Sequence, residues 1–451
     1  MRIRMKLAII AALMLLLTIP LLLVVSKIYE RDNYHEQARN DIAKSWTGEQ
    51  LILGPIVVVP YTRIYEKREF DKELDRYVTS QVKANEQLFV LPDTLTGKID
   101  LRTEVRYRGI YKVPVYSSTI SLDGEISNTK ILELGQRKDV IAIGRPYLSI
   151  VVNDMRGIAE SPALSWNSDT VDFMPGSQLK FQRSGIHAPL SSIDQDILNR
   201  YRFSASFTLR GMSSFRFVPV GNSSSVDITS SWPHPRFEGL YLPAHREISD
   251  SGFTASWQTS AFATNIAEKA RECASGDCGQ LMNNYLGVVL VDPVDVYLQA
   301  QRASKYGILF IGLTFTAFFL FEVLRKIAIH PIQYTLVGLA LSVFYLLLVS
   351  LAEHISFVWA YSIATGACSG LLGFYMTCVL KSLKRGSVFA AAITGLYGIL
   401  YVIIQEEDYA FSMGAGLIFI TLSGVMFATR NIDWFQVSRH TFEEPEGETG
   451  T

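Results

Sequence analysis

The residues best equipped for chemistry in this 451-residue chain crowd into two neighbouring stretches, Ser231-Trp-Pro-His-Pro-Arg-Phe237 and Leu242-Pro-Ala-His-Arg-Glu-Ile-Ser249. Between them they supply Trp232, His234, Arg236, His245, Arg246 and Glu247. An imidazole titrates near neutrality, and a carboxylate such as Glu247 could orient it for proton transfer. The same composition also makes rigid Trp- and Pro-rich corners in a β domain. Three readings therefore stand side by side: a structural loop, a ligand- or partner-binding surface, and a catalytic site. No P-loop, Gly-x-Ser-x-Gly elbow, His-Glu-x-x-His pair or dinucleotide fingerprint accompanies the cluster, and no cofactor is expected.

Three other positions could carry chemistry. Cys273 and Cys278, in Glu272-Cys-Ala-Ser-Gly-Asp-Cys278, suit a short-loop disulfide if their compartment is oxidising, or two free thiols if it is not. A metal site has no second Cys or His pair to support it. Glu322 is an acid inside an apolar stretch, where a carboxylate is costly and often functional. Arg325 and Lys326 lie one turn on, and pairing with them is the simpler expectation. Glu353-His354 reads as a loop turn at a membrane surface.

The elements that position these residues separate by composition. Met1 to Lys6 is basic, and the uncharged apolar run 7–25 follows it. That run is longer than the h-region of a signal peptide, so an uncleaved anchor is expected, with Pro20 tolerated within it. Five more apolar segments, 306–324, 332–351, 357–380, 388–404 and 410–428, are each about long enough to cross a bilayer. Lys and Arg gather at 325–326, 381–385 and 430, while the alternate loops carry Glu353-His354 and Glu406-Glu407-Asp408 without either. Because basic loops favour the cytoplasm, both termini are expected inside and the region between the first and second spans outside. The glycines at 366, 370 and 373 have a spacing that suits close helix packing.

Residues 28–305 read differently. After a helix-forming stretch at 29–46 come short runs with period two, clearest at Ile99, Leu101, Val105 and Tyr107 and again at Tyr201, Phe203, Ala205, Phe207 and Leu209. Such alternation marks strands with one buried face, and many of them separated by Gly, Pro, Asn and Ser predict a β-sandwich or barrel. Two lobes meeting near 175–190 would fit the length. The stretch 295–304 is expected to be helical and to lead straight into the span at 306. The predicted architecture is therefore a membrane protein of six transmembrane helices, one N-terminal and five C-terminal. It has an anchor at 1–27, a large mainly-β periplasmic domain at 28–305, a bundle at 306–430 and a cytoplasmic tail at 431–451. The formal net charge of -1 gives no reason to expect nucleic acid.

Several segments are familiar together: Gly54-Pro-Ile-Val-Val-Val-Pro60, Ser231-Trp-Pro-His-Pro-Arg-Phe237, Leu242-Pro-Ala-His-Arg-Glu247 with Ser251-Gly-Phe253, Arg302-Ala-Ser-Lys-Tyr306, His330-Pro-Ile-Gln-Tyr334 and Thr429-Arg-Asn-Ile-Asp-Trp434. On these the chain resembles the CreD family of inner-membrane proteins of Gram-negative bacteria, over nearly its whole length. The resemblance implies a part in envelope integrity, colicin tolerance and the CreBC regulon that responds to β-lactam stress. It implies no enzymatic activity and brings no site residues, and Cys273 and Cys278 lie outside its pattern. The expected function is a non-enzymatic envelope protein whose partners are the lipid bilayer and an unidentified periplasmic component. The alternative is a transporter or a membrane enzyme acting on a lipid-linked envelope precursor.

Overall fold

A computed structural model describes residues 3–72, 75–190, 193, 198–291, 296–325, 329–405 and 409–430. The chain forms two compact units, one of Gln37–Pro293 and one of Met1–Glu36 with Val294–Thr451.

The Gln37–Pro293 unit is built on two sheets. Among the described residues the larger has nine strands. Its path runs Pro235–Gly239, Leu286–Leu290, Ser214–Val218, Gln50–Asp71, Tyr147–Val152, Gly185–Pro189, Met174–Pro175. Arg76–Val90 and Val140–Ile143 also pair with the long strand Gln50–Asp71. The second sheet has eight strands, in the order His245–Ser249, Gly252–Ser260, Ser223–Ser230, Thr94–Arg108, Tyr111–Ser127, Arg200–Met212, Ala163–Trp166, Asp169–Asp172. The alternation legible in the sequence gives a buried face over only part of Thr94–Arg108, since Val105 and Tyr107 are exposed. Leu95, Ile99 and Leu101 are buried while Asp100 and Arg102 are exposed, so one face of the strand is apolar and must be covered. The inward residues of both sheets join in one hydrophobic core. The segment around 175–190 contributes strands to the larger sheet, with Gly185–Pro189 paired between Tyr147–Val152 and the edge strand Met174–Pro175. Tyr116 ties the sheets together: it is fully buried, its hydroxyl donates to the Ser214 carbonyl at 2.8 Å, and its ring edge meets Phe215.

The first helix, Ile3–Ser45, continues without a break from the apolar run through the helix-forming stretch expected at 29–46. Its last turns belong to the β unit. Ile42 packs with Val113, Val115 and Met212. The final carbonyls of a helix lack intrahelical donors, and here Arg156 supplies them, donating to Ala43 O at 2.9 Å and Lys44 O at 2.6 Å. Asp154 holds that guanidinium through contacts at 3.0 and 2.6 Å and accepts from the Gly48 amide at 3.1 Å. Trp46 lies between the guanidinium groups of Arg106 and Arg210, 4.2 and 4.8 Å from its ring.

The other unit is helical. Among the described residues four helices are long and apolar enough to cross a membrane: Ala8–Ser45, Pro331–Ala352, Phe357–Leu380 and Leu383–Gln405. A fifth candidate is bent: Tyr297–Lys305 and Gly307–Leu320 meet at 43°. The stretch before residue 306 is thus helical and runs directly into the next helix as expected, with a bend between the two. A shorter apolar helix, Ser412–Phe427, follows. Of the three glycines expected to mediate packing, only Gly373 faces a neighbour, with Ala390 2.7 Å from where a Cβ would sit; Gly366 and Gly370 face open space. Gly386 is the tighter approach, since an added Cβ would come within 2.8 Å of the Thr377 Cα. The tail 431–451 lies outside the described residues.

The hydrogen bond and charge of Arg156 hold the Asp154 carboxyl below the usual carboxylate range. A carboxyl depressed on folding adds stability above its unfolded value, and that contribution is lost as pH falls through its folded value. Asp154→Asn should therefore destabilise the β unit by about 1–3 kcal/mol near neutrality, the scale of a charge-assisted hydrogen bond. The gap from the unsubstituted chain should close below about pH 4. Thermal unfolding of the detergent-solubilised protein at a series of pH values, followed by circular dichroism, checks this.

Candidate functional site

The six residues singled out in the sequence sit on one rim of the β unit, on two different sheets. Trp232 is half-buried against the core, and its indole donates to the Val291 carbonyl at 2.8 Å. Arg236 is exposed on Pro235–Gly239, the edge strand of the larger sheet, opposite Val289. His245, Arg246 and Glu247 are exposed on His245–Ser249, the edge strand of the other sheet. Phe237 packs edge-on against Phe253 and Trp257 at 5.7 Å, which stacks the two edges. His234 is exposed on the turn before the first edge strand. Because side chains alternate along a strand, His245 and Glu247 share one face and Arg246 takes the other. This is an open surface. It has none of the desolvation that general acid–base chemistry uses to tune its groups.

A concave site lies elsewhere in the same unit, where sequence reasoning did not look. A cleft of about 900 Å³ opens between the strand segments at Tyr61–Arg63 and Asn85–Phe89, the short helix Thr129–Gly135, the Lys180–Phe181 turn and the helix Ile266–Ser275. Five cationic side chains line it, Arg63, Lys130, Arg137, Lys180 and Arg271, against two carboxylates, Glu86 and Glu133. One corner is closed by hydrogen bonds: Glu86 accepts from Tyr61 at 2.6 Å and from Arg63 at 2.7 Å. Burial alone would raise the Glu86 carboxyl, but those two donors outweigh it and hold it below its ordinary value. The Tyr61 hydroxyl is pushed up, first by burial and then by its bond to Glu86. Arg137 lies over the Tyr61 ring at 6.0 Å and is paired with Asp139 at 2.7 and 3.1 Å. Phe181 meets Phe89 edge-on at 6.3 Å. Cys273 and Cys278 are joined in a disulfide, and Cys273 with Ser275 and Gly276 forms the rim of the cleft. The individual signals were visible in the sequence as scattered basic residues. Nothing in their spacing says that they converge.

In the helical unit, both acids flagged in the sequence have partners. Glu322 accepts from the Tyr334 hydroxyl at 3.0 Å and from the Ile329 amide at 3.3 Å. Its expected basic partners, the side chains of Arg325 and Lys326, lie outside the described residues. Glu353 and His354 form the expected turn after Pro331–Ala352, but Glu353 is not open to solvent. Its side chain is only 8% exposed, 3.5 Å from Arg31 of the first helix, and accepts from the Tyr297 hydroxyl at 3.3 Å. Gln301 donates to Asp32 at 3.2 Å alongside. Among the described residues no three His, Cys, Asp or Glu side chains are grouped to hold a metal ion.

Comparison with known proteins supplies the family. The profile of the CreD family, described as inner membrane protein CreD, matches residues 2–435. The inner membrane protein CreD of Escherichia coli K12 is 37% identical over 424 residues, 94% of this chain and 92% of its own. The chain belongs to the CreD family. CreD is named as an inner membrane protein, in keeping with the apolar helices, and not as an enzyme. Among solved structures, an M1 zinc metallopeptidase from Deinococcus radiodurans overlaps 38% of this chain and 39% of its own at 9% identity and a TM-score of 0.18. Yeast LTA4 hydrolase with bestatin overlaps 48% of this chain and 35% of its own at 10% identity and a TM-score of 0.19. Superpositions this poor carry no argument about fold or chemistry.

Glu353→Ala removes an acceptor shared by two helices and should lower the stability of the helical unit by about 1–2 kcal/mol, a figure kept small because Arg31 is half exposed. Glu353→Gln keeps an acceptor for Tyr297 and should lose less. Thermal inactivation of the two purified variants, followed as loss of monodisperse protein on gel filtration, ranks them.

Proposed function

We propose that this CreD-family chain is a non-enzymatic inner-membrane protein that supports cell envelope integrity and the envelope-stress response, including colicin tolerance and the β-lactam response of a CreBC-type regulon. The β unit faces the periplasm and binds an envelope component, and six spans anchor it with both termini in the cytoplasm. The observation that carries the binding role is the cleft: a large concave site rich in cations and aromatic rings. The alternation of basic and acidic loops supports the orientation.

A second binding surface is favoured by the position of Arg236, His245, Arg246 and Glu247 on two edge strands, with Trp232 and His234 in the segment leading into one of them, since an edge strand offers unpaired backbone groups to a partner. The transporter or precursor-processing alternative would draw on Glu322 or Glu353. Both carboxylates already accept hydrogen bonds from neighbouring tyrosines, which supports a structural role for them.

Two measurements test the proposal. A periplasm-dependent reporter such as alkaline phosphatase should be active when fused after His354 and inactive after Lys384; activity at Lys384 would reverse the orientation. In cells lacking the chromosomal gene, the double charge reversal Lys130→Glu with Lys180→Glu should leave the protein folded and in the membrane yet abolish complementation of the envelope phenotype. Loss of complementation from His234→Ala with Arg246→Ala instead, with the cleft variant intact, would move the binding site to the rim.

A further inference from the structure

The cations of the cleft are not equally occupied, and the difference points to a ligand. Arg63 is neutralised by Glu86 and Arg137 by Asp139, in both cases at 2.7 Å. Arg271 has only a loose, exposed contact to Glu268 at 3.8 Å. Among the described residues Lys130 and Lys180 make no ion pair. The Lys180 ammonium donates to the Asn85 carbonyl at 2.6 Å, which leaves two of its N–H donors uncommitted. Lys130 is half-buried on the wall of the cleft. Burial, and then the like charge of Arg271, pushes its ammonium below the ordinary lysine value, with Glu133 and Asp93 offsetting only part of that. A partly desolvated ammonium beside a second cation is a cost that an incoming anion would relieve.

We propose that the cleft binds a phosphate-bearing ligand, its phosphomonoester or diphosphate group held by Lys130 and Lys180 with Arg271, and its ring or chain laid along Phe181 and Tyr61. This rests on the reading that the β unit binds an envelope component, and names the chemistry of that component. Charge decides the class. With Arg63 and Arg137 each paired, Lys130, Lys180 and Arg271 face one further lining carboxylate, Glu133, a surplus of two positive charges. A single carboxylate would leave half of that surplus, whereas a phosphomonoester brings a charge of about -1.5 to -2. The geometry agrees. Arg63 and Arg137 are already paired, which leaves two ammonium groups that meet phosphate as point charges and the Arg271 guanidinium, whose planar fork also suits phosphate oxygens. The anion and its aromatic floor come from four separate segments: the Tyr61 strand, the Lys130 helix, the Lys180–Phe181 turn and the Arg271 helix.

The test uses the full chain in zwitterionic nanodiscs, titrated calorimetrically with pyrophosphate, with water-soluble short-chain phosphatidic acid, and with acetate. Pyrophosphate or the phosphatidic acid should bind saturably, and the double variant Lys130→Gln with Lys180→Gln should weaken that binding at least about tenfold, the least expected for losing charge-assisted contacts. Gel filtration confirms that the variant is folded. Tighter binding of the phosphatidic acid than of pyrophosphate assigns the phosphate to a lipid headgroup; equal or weaker binding assigns it to a soluble ligand. Saturation by neither phosphate, competition by acetate at equal concentration, or unchanged affinity in the double variant overturns the proposal. If the charge reversals in cells abolish complementation while neither phosphate binds, the cleft remains the functional site and only the phosphate class falls.

Discussion

Neither sheet of the β unit can stand without the other. Each sheet presents an apolar face to the other, and exposing a fully buried Val, Leu or Phe costs about 1.5–3 kcal/mol. Strands such as Thr94–Arg108 and Arg200–Met212 present several such residues apiece. Stacking the sheets covers both faces with a single core, and Tyr116 closes its polar requirement by donating to a backbone carbonyl of the opposite sheet. The other features of the unit are conditions on that packing. The end of the first helix is held by Arg156 because a helix terminus set against a sheet must find donors for its last carbonyls.

The cleft follows from the same arrangement. The short helices Thr129–Gly135 and Ile266–Ser275 cover part of the core with Ile131, Leu134, Ile266, Ala270 and Cys273 inward. Their outward residues, Lys130 and Arg271 among them, then face the strands that carry Arg63 and Glu86. Burial of apolar side chains thus forces cations together that would repel one another in an extended chain. The Cys273–Cys278 disulfide fastens the end of the second helix where it forms the rim. A rigid frame with uncommitted charge is what a binding site for an anion requires.

The helical unit meets a different constraint with the same bookkeeping of polar groups. Acids among apolar helices need donors nearby, and Glu322 and Glu353 find them in Tyr334 and Tyr297. Close helix approach is achieved at Gly386, where any side chain would meet the backbone of Thr377, and not at Gly366 or Gly370. Glycine spacing alone does not say which face a neighbour will occupy.

The sequence by itself determined what is local and periodic. Alternation at 99–107 and 201–209 marked strands, and uninterrupted apolar runs marked the long helices, because side-chain direction and hydropathy repeat with the backbone. Signature segments spread along the chain carried the family. The candidate site was legible only in part. His245 and Glu247 stand on one face as alternation requires, but nothing local reveals that their strand is an exposed edge. What the tertiary structure decided is every pairing between distant residues: Arg31 and Tyr297 with Glu353, Arg156 with the end of the first helix, and Lys130, Lys180 and Arg271 around one cleft. These depend on which faces the core brings together, and a charge that is ordinary on a solvated helix becomes a binding group only once packing has removed its water and withheld its counter-ion.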